Sequence, residues 1–321
     1  MTKNLTLLLA LSEMSFLTFR EKLVLESNLD TARELALLSV GDISALAGRA
    51  VRSKAWRNAD IERRVAQIAL VAERYGMHCV GHGDEAYPAL LRALFDPPFL
   101  LYCRGDCAAL NAPCVSVVGT RKPTRAGVEA ARQFAADAAR DGLTVVSGLA
   151  FGIDAASHAG ALDGNGKTAA VLASGADVLS PRSNRRLGGM IISRGGCVVS
   201  EYAPGTEATK WRFPQRNRVI SGLSPATVII EAPGASGALI TADFALEQGR
   251  DVYFHELALQ GATLQDTAGS AAEPMKRSAA RYCRDGAPVI RSYADYREAA
   301  LNAPGRPHGG QGELDFSDIM E

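Results

Sequence analysis

The residues of this 321-residue chain best placed for chemistry stand at three glycine-bearing turns. The run "SVVGTR" leads into Gly119, Thr120 and Arg121; "LTVVSGLAFG" brings Ser147, Gly148 and Gly152; "EAPGASGAL" places Ser236 and Gly237 ahead of an apolar segment. Glycines there let backbone N–H groups approach an anion, and each following helix adds the positive end of its dipole. Phosphate oxygen is the ligand such turns suit. The plainer alternative is that the glycines only permit tight strand-to-helix connections. Three such turns together with Arg121 favour the phosphate.

A dinucleotide is a poor fit. Its fingerprint is Gly-x-Gly-x-x-Gly with an acidic residue about twenty positions on, at the end of the second strand. Here Thr120 and Arg121 follow Gly119, Pro123 interrupts, and the second apolar run ends in Ser147 and Gly148. Arg121 suits a phosphodiester instead, because its planar fork can hold two oxygens. Between residues 182 and 218 lie Arg182, Arg185, Arg186, Arg194, Lys210, Arg212, Arg216 and Arg218, against only Glu201 and Glu207. Trp211 and Phe213 are interleaved. Cations for phosphates beside rings for unstacked bases are what a single-stranded nucleic acid needs; the alternative is a solvated basic face with both rings in the core.

Other constellations carry less. Asp154 and His158 stand four apart on an expected helix and could touch, but no nucleophile joins them, and a capping Asp beside a packed His explains them. Asp243 and Glu247 read as a solvated face, and no acid/base pair is assignable. Six cysteines include no Cys-x-x-Cys pair and no matching histidine cluster, so reduced structural thiols are expected and no metal or cofactor.

The elements that must position these residues follow from periodicity. Up to about Tyr75 the pattern is helical, in "DTARELALL", "GDISALAG" and "NADIERRVAQIALVAERYG", which predicts a small helical domain over residues 1–76. Residues 77–113 carry Pro88, Pro97 and Pro98 with a short strand near Phe99 to Tyr102, and read as a connector packed on its neighbour. From Cys114 six apolar runs ("CVSVVG", "LTVVSGLA", "TAAVLAS", "CVVSEY", "ATVIIEA", "DVYFHE") alternate with helical segments. This predicts an α/β, Rossmann-like, doubly wound and mainly parallel sheet of about six strands over residues 114–300. Residues 301–321 read as a flexible acidic tail. Lys and Arg number 35 and Asp and Glu 35, so no whole-molecule basic field argues for a polyanionic partner. The apolar run from Leu5 to Leu11 is too short to span a bilayer and lacks a cleavage site, so a cytoplasmic protein with no membrane contact is expected.

Taken together, "YPALLRALFDPPFLLYCRG", "VVGTR", "SGLAFGIDAASHAGAL", "SEYAPGTEATKWRFPQRNRVISGL", "EAPGASGALITADFALEQGRDV" and "RDGAPVI" closely resemble the DNA processing protein A (DprA, or Smf) family, collinearly over residues 87–290. The resemblance implies binding of single-stranded DNA without strong sequence preference, a homodimer formed through the Rossmann-like domain, and loading of RecA recombinase onto incoming strands during natural transformation. Single-strand binding protein joins the expected partners. Gly119, Thr120 and Arg121 match the family's Gly-Ser-Arg turn, and Gly152, Ile153 and Asp154 its Gly-Ile-Asp segment. Arg216, Asn217 and Arg218 match its Arg-Asn-Arg motif, while Ser236 and Gly237 match its Ser-Gly-Ser turn with Ala238 in place of the last serine.

The expected DNA-binding set is thus Gly119, Thr120, Arg121, Ser147, Gly148, Gly152, Arg185, Lys210, Phe213, Arg216, Asn217, Arg218, Ser236 and Gly237. Where the family has Ala-Val-Pro-Gly after the last strand, this chain has "FHELALQG" and a polar insertion through Lys276. Too few residues follow Ile290 for the winged helix some members carry. The rival function is a nucleotide-cleaving phosphoribohydrolase, which resembles this sheet and places catalytic glutamates right after the corresponding turn; here Leu239, Ile240 and Thr241 stand there. At the C-terminus, Glu313, Asp315, Asp318 and Glu321 surround Phe316 and Ile319. This tip either competes with DNA for the basic groove, docks on a partner, or is an inert end.

Overall fold

A computed structural model describes residues 4–51, 58–234, 236–260 and 278–302. The acidic tip and most of the insertion through Lys276 lie outside the described residues.

Five helices come first: α1 (Leu5–Glu13), α2 (Phe19–Asn28), α3 (Ala32–Leu37), α4 (Val40–Ala47) and α5 (Asn58–Arg74). Their starts are encoded locally. Thr18 and Ser39 each accept a hydrogen bond from the backbone N–H three residues on, and Glu21 and Asp42 return the bond to the cap backbone, closing two capping boxes. Gly48, in the left-handed region at φ 67°, ends α4. Leu7, Leu9, Leu11, Leu25, Leu35 and Ile43 form the module's interior and pack on Leu100, Tyr102 and Val198 of the sheet. Tyr102 shares a hydrogen bond with Ser12 at 3.1 Å, and Arg64 donates to the Pro204 carbonyl oxygen at 2.9 Å.

The described sheet has nine strands, ordered β1-β2-β6-β5-β4-β3-β7-β8-β9. The six apolar runs form β3 (Cys114–Val118), β4 (Thr144–Ser147), β5 (Thr168–Val171), β6 (Cys197–Ser200), β7 (Ala226–Ile229) and β8 (Asp251–His255), all parallel. The sheet is wider than the alternation predicts. The 77–113 segment supplies β1 (Met77–Gly81) and β2 (Leu100–Gly105), of which β2 pairs antiparallel with both β1 and β6, and β9 (Val289–Ile290) adds the far edge. The prolines that argued against long elements fall between β1 and β2, where they interrupt no ladder.

Side chains alternate between two covered faces. On one, Val118, Val146, Val171 and Phe254 meet α10 (Arg212–Gly222) and α11 (Gly237–Glu247). On the other, Val117, Val145 and Tyr253 meet α7 (Arg125–Arg140) and α8 (Ile153–Asp163), next to α9 (Arg185–Ser193) and the N-terminal helices. Both faces being dry explains why β3 to β7 read as continuous apolar runs.

The chain winds outward from β3 through β4, β5 and β6, then returns to lay β7 on the other side of β3. That reversal leaves a crevice at the carboxyl ends of β3 and β7, the position where doubly wound sheets take ligands. Among the described residues no helix is long and apolar enough to cross a membrane.

Candidate nucleic-acid interface

A cavity of about 630 Å³ opens at this reversal. The β3 turn contributes Gly119, Thr120, Arg121 and Lys122; α10 contributes Phe213, Arg216, Asn217 and Ile220; the start of α11 contributes Ser236, Gly237, Ile240 and Thr241; Lys210, Ala150 and Asp154 complete its wall.

The β3 turn is held from several directions. Thr120 donates its N–H to the Glu231 carbonyl oxygen at 2.7 Å, and its own carbonyl accepts from Ile153 at 3.2 Å. Its hydroxyl oxygen accepts from the Lys122 N–H at 3.2 Å, leaving the hydroxyl proton to point elsewhere. The Glu231 carboxylate accepts from the Thr124 N–H and hydroxyl, each at 3.0 Å, and so sits at the N-terminus of α7, where negative charge is favoured. On this fixed turn Arg121 is exposed, its guanidinium 4.7 Å from the centre of the Phe213 ring. Cation and ring thus form one surface at the cavity mouth.

The Arg216-Asn217-Arg218 run divides three ways, because successive helix residues point about 100° apart. Arg216 turns inward and is only 4% exposed. It donates to the Gly148 carbonyl oxygen at 2.7 Å and to that of Val171. Burial lowers its pKa to about 10, with the nearby Asp154 carboxylate opposing the shift. Asn217 faces α11, donating to the Gly237 carbonyl oxygen at 3.4 Å. Arg218 is not on the cavity wall and makes a part-buried ion pair with Glu201 at 2.5 Å.

Asp154, 6% exposed, does not cap α8; that position is Gly152, with no side-chain bond. Its carboxylate accepts from the Ala150 N–H at 3.4 Å, and burial holds its pKa above the usual carboxylate range against the pull of Arg216. His158 does not touch it. Nε2 accepts from the Leu149 N–H at 3.3 Å, fixing the proton on Nδ1, which meets the Thr168 hydroxyl at 2.6 Å. The pair therefore braces one loop from two sides.

Of the expected binding set, Gly119, Thr120, Arg121, Lys210, Phe213, Arg216, Asn217, Ser236 and Gly237 come together on the cavity wall. Five others stand off it. Ser147 is buried and donates to the Val117 carbonyl oxygen at 2.7 Å. Gly148 packs against the Arg216 guanidinium, and Gly152 against the carbonyl of Thr120 and the backbone of Arg121, so both glycines position the site through close backbone approach. Arg185 is exposed at the start of α9, and Arg218 is paired with Glu201. Trp211 is 58% exposed with the Arg212 guanidinium 4.8 Å away, which removes the alternative that both rings of the basic segment are core. Sequence reading passed over Lys122 and Thr241. Lys122 was signalled by adjacency to Arg121, whereas nothing in the sequence marks Thr241, which is 1% exposed with a hydroxyl that has no partner among the described residues. Among those residues no group of three or more His, Cys, Asp or Glu could hold a metal ion, and all six cysteines are unpaired.

Residues 78–300 match the family described as DNA recombination-mediator protein A. The DNA processing protein DprA of Bacillus subtilis is 36% identical over 207 residues, covering 63% of this chain and 69% of the relative. The X-ray structure of DprA from Streptococcus pneumoniae superposes with a TM-score of 0.69 at 32% identity, covering 92% of this chain and 98% of the other. DprA from Helicobacter pylori, described in terms of a single-stranded DNA binding mode, shares the fold at 24% identity and a TM-score of 0.57, over 71% of this chain and 96% of the other. The chain belongs to the DNA recombination-mediator protein A family, whose members here are DNA processing proteins.

Proposed function

We propose that this protein binds single-stranded DNA at the β3–β7 cavity and does so without turnover. The observation that carries the reading is the Arg121–Phe213 pair at the mouth, with Lys122 and Lys210 on the same rim. The cations neutralise phosphates, the ring offers a face to an unstacked base, and α11 presents N–H groups at its start. The Helicobacter pylori relative's described binding of single-stranded DNA supports the same ligand. A phosphoribohydrolase needs an acid just after the β7 turn, where this chain has buried Leu239 and Thr241. The cavity's carboxylate, Asp154, is engaged by the Ala150 N–H, which also favours binding over hydrolysis. The reading extends to a homodimer that loads RecA onto strands coated by single-strand binding protein, as the family resemblance implies.

The test is salt-dependent binding to single and double strands. Single strands are expected to bind more tightly, and Arg121→Ala to weaken binding and lower the salt slope by about one counterion. Unchanged affinity and slope would remove Arg121 from the site. RecA filament assembly on coated strands, with and without the protein, decides the loading step.

A further inference from the structure

The turn between β4 and α8 presents an aromatic ring with no structural partner. Phe151 is 51% exposed, belongs to no core cluster, and makes no ring or cation contact among the described residues. Its neighbours are the opposite: Leu149 and Ile153 are fully buried. The turn is also rigidly held. Leu149 sits in the left-handed region at φ 56°, its N–H bonded to His158, and the Ala150 N–H is bonded to Asp154. An exposed ring on a braced turn is a preorganised surface, since little further freedom is lost when a partner stacks on it.

Position gives the ring its meaning. Ala150 lines the cavity, and Gly152 packs against the Thr120 carbonyl and the Arg121 backbone, so residue 151 lies beside the Arg121 turn. On the other side Asn184 donates to the carbonyls of Leu149 at 2.9 Å and Ala150 at 3.1 Å, bringing exposed Arg182 and Arg185 to the same turn. Phe151 therefore stands between two cationic groups that could each hold a phosphate. The other exposed aromatics among the described residues are differently engaged: Trp211 lies under Arg212, Phe95 under Arg20, and Tyr75 under Arg74 and Arg104.

We propose that Phe151 is a second base-stacking platform, taking an unstacked base of the strand where it leaves the cavity toward Arg182 and Arg185. The inference rests on the single-stranded DNA reading and adds to it a residue and a direction.

The test compares the full chain and its variants on oligo(dT) and on an abasic oligomer of equal length at one salt concentration. Phe151→Ala should weaken oligo(dT) binding roughly 5- to 150-fold, as loss of one stacked base does, and leave abasic binding and the salt slope unchanged. Phe151→Trp should restore affinity and, relative to the parent, show fluorescence quenching with oligo(dT) and none with the abasic strand. Parent-like oligo(dT) binding by Phe151→Ala, or equal losses on both ligands, would overturn the platform while the Arg121→Ala result still reports on the DNA reading. Failure of the parent protein to bind oligo(dT) would overturn both.

Discussion

Gly148 and Arg216 interlock: the guanidinium donates from Nη1 to the Gly148 carbonyl oxygen at 2.7 Å, and a side chain on residue 148 would occupy the guanidinium's place. One arginine thereby ties α10, which carries Phe213 and Asn217, to the ends of β4 and β5. Its charge also offsets the buried Asp154 carboxylate. On the proposed DNA-binding reading, Arg216 contributes chiefly through the groups it holds in place.

Arg216→Ala should consequently behave as a folding mutation. Removing the guanidinium leaves the buried Gly148 and Val171 carbonyl oxygens without this donor and takes away the charge that offsets Asp154; each unmet buried acceptor typically lowers stability by about 1–3 kcal/mol. Urea denaturation should show that loss, together with loss of DNA binding. Arg121→Ala, on an exposed side chain, should stay within about 0.5 kcal/mol of the parent. Equal stabilities for the two variants would show that Arg216 is not a strut.

Gly127 and Glu231 make a second fixed contact beneath the Arg121 turn. A Cβ at residue 127 would fall on the Glu231 carboxylate, which is bonded to Thr124. Gly127→Ala is expected to lower stability by about 1–3 kcal/mol through overpacking and to weaken DNA binding by shifting the turn. Glu231→Ala makes room for the methyl group, so the double variant should be less destabilised than the sum of the singles. Strict additivity in the cycle would mean that the two residues do not meet.

The six strands from β3 to β8 were legible because both faces of a parallel sheet are dry, which makes each strand a plain apolar run. That the glycine turns share one cavity was legible for a related reason, since turns at the carboxyl ends of parallel strands lie along one edge of the sheet. What stayed hidden was side-chain direction. Arg216, Asn217 and Arg218 are adjacent in sequence and diverge in space, so a basic run overstated how many cations share one ligand. Ser147 looked like a donor at a turn but spends its hydroxyl on the Val117 carbonyl. The short strand expected near Phe99 to Tyr102 is β2, whereas β1 and the antiparallel pairing of the two were obscured because prolines between them dominated the local pattern.

Thr241 offers a test of the cavity floor. Its hydroxyl is buried without a partner among the described residues, and an unmet buried polar group is destabilising by about 1–3 kcal/mol. Thr241→Val keeps the shape and removes the hydroxyl, so the variant should be at least as stable as the parent while binding single-stranded DNA more weakly. Full affinity with raised stability would show that the strand does not reach the floor.

His158 sets the acid limit of the fold. Burial pushes its pKa down to about 3, with Arg216 adding to the shift, and the ring is held neutral by the Leu149 N–H at Nε2 and the Thr168 hydroxyl at Nδ1. In the unfolded chain the imidazole titrates near about 6.5. Below that value the unfolded state binds the extra proton and the folded state does not. The stability is therefore complete above the unfolded pKa and is lost as pH falls toward the folded one, by about 1.4 kcal/mol per pH unit. His82 and His255 are also lowered by burial and act in the same direction. Between about pH 5 and 6.5 most carboxylates are still ionised, while Asp154 and Glu201, raised by burial, pull the slope the opposite way, so the difference between parent and variant isolates the imidazole. Urea midpoints across that window should fall more steeply with falling pH in the parent than in His158→Asn, which should lack about one proton of the slope. An unchanged slope in that variant would assign the acid sensitivity elsewhere.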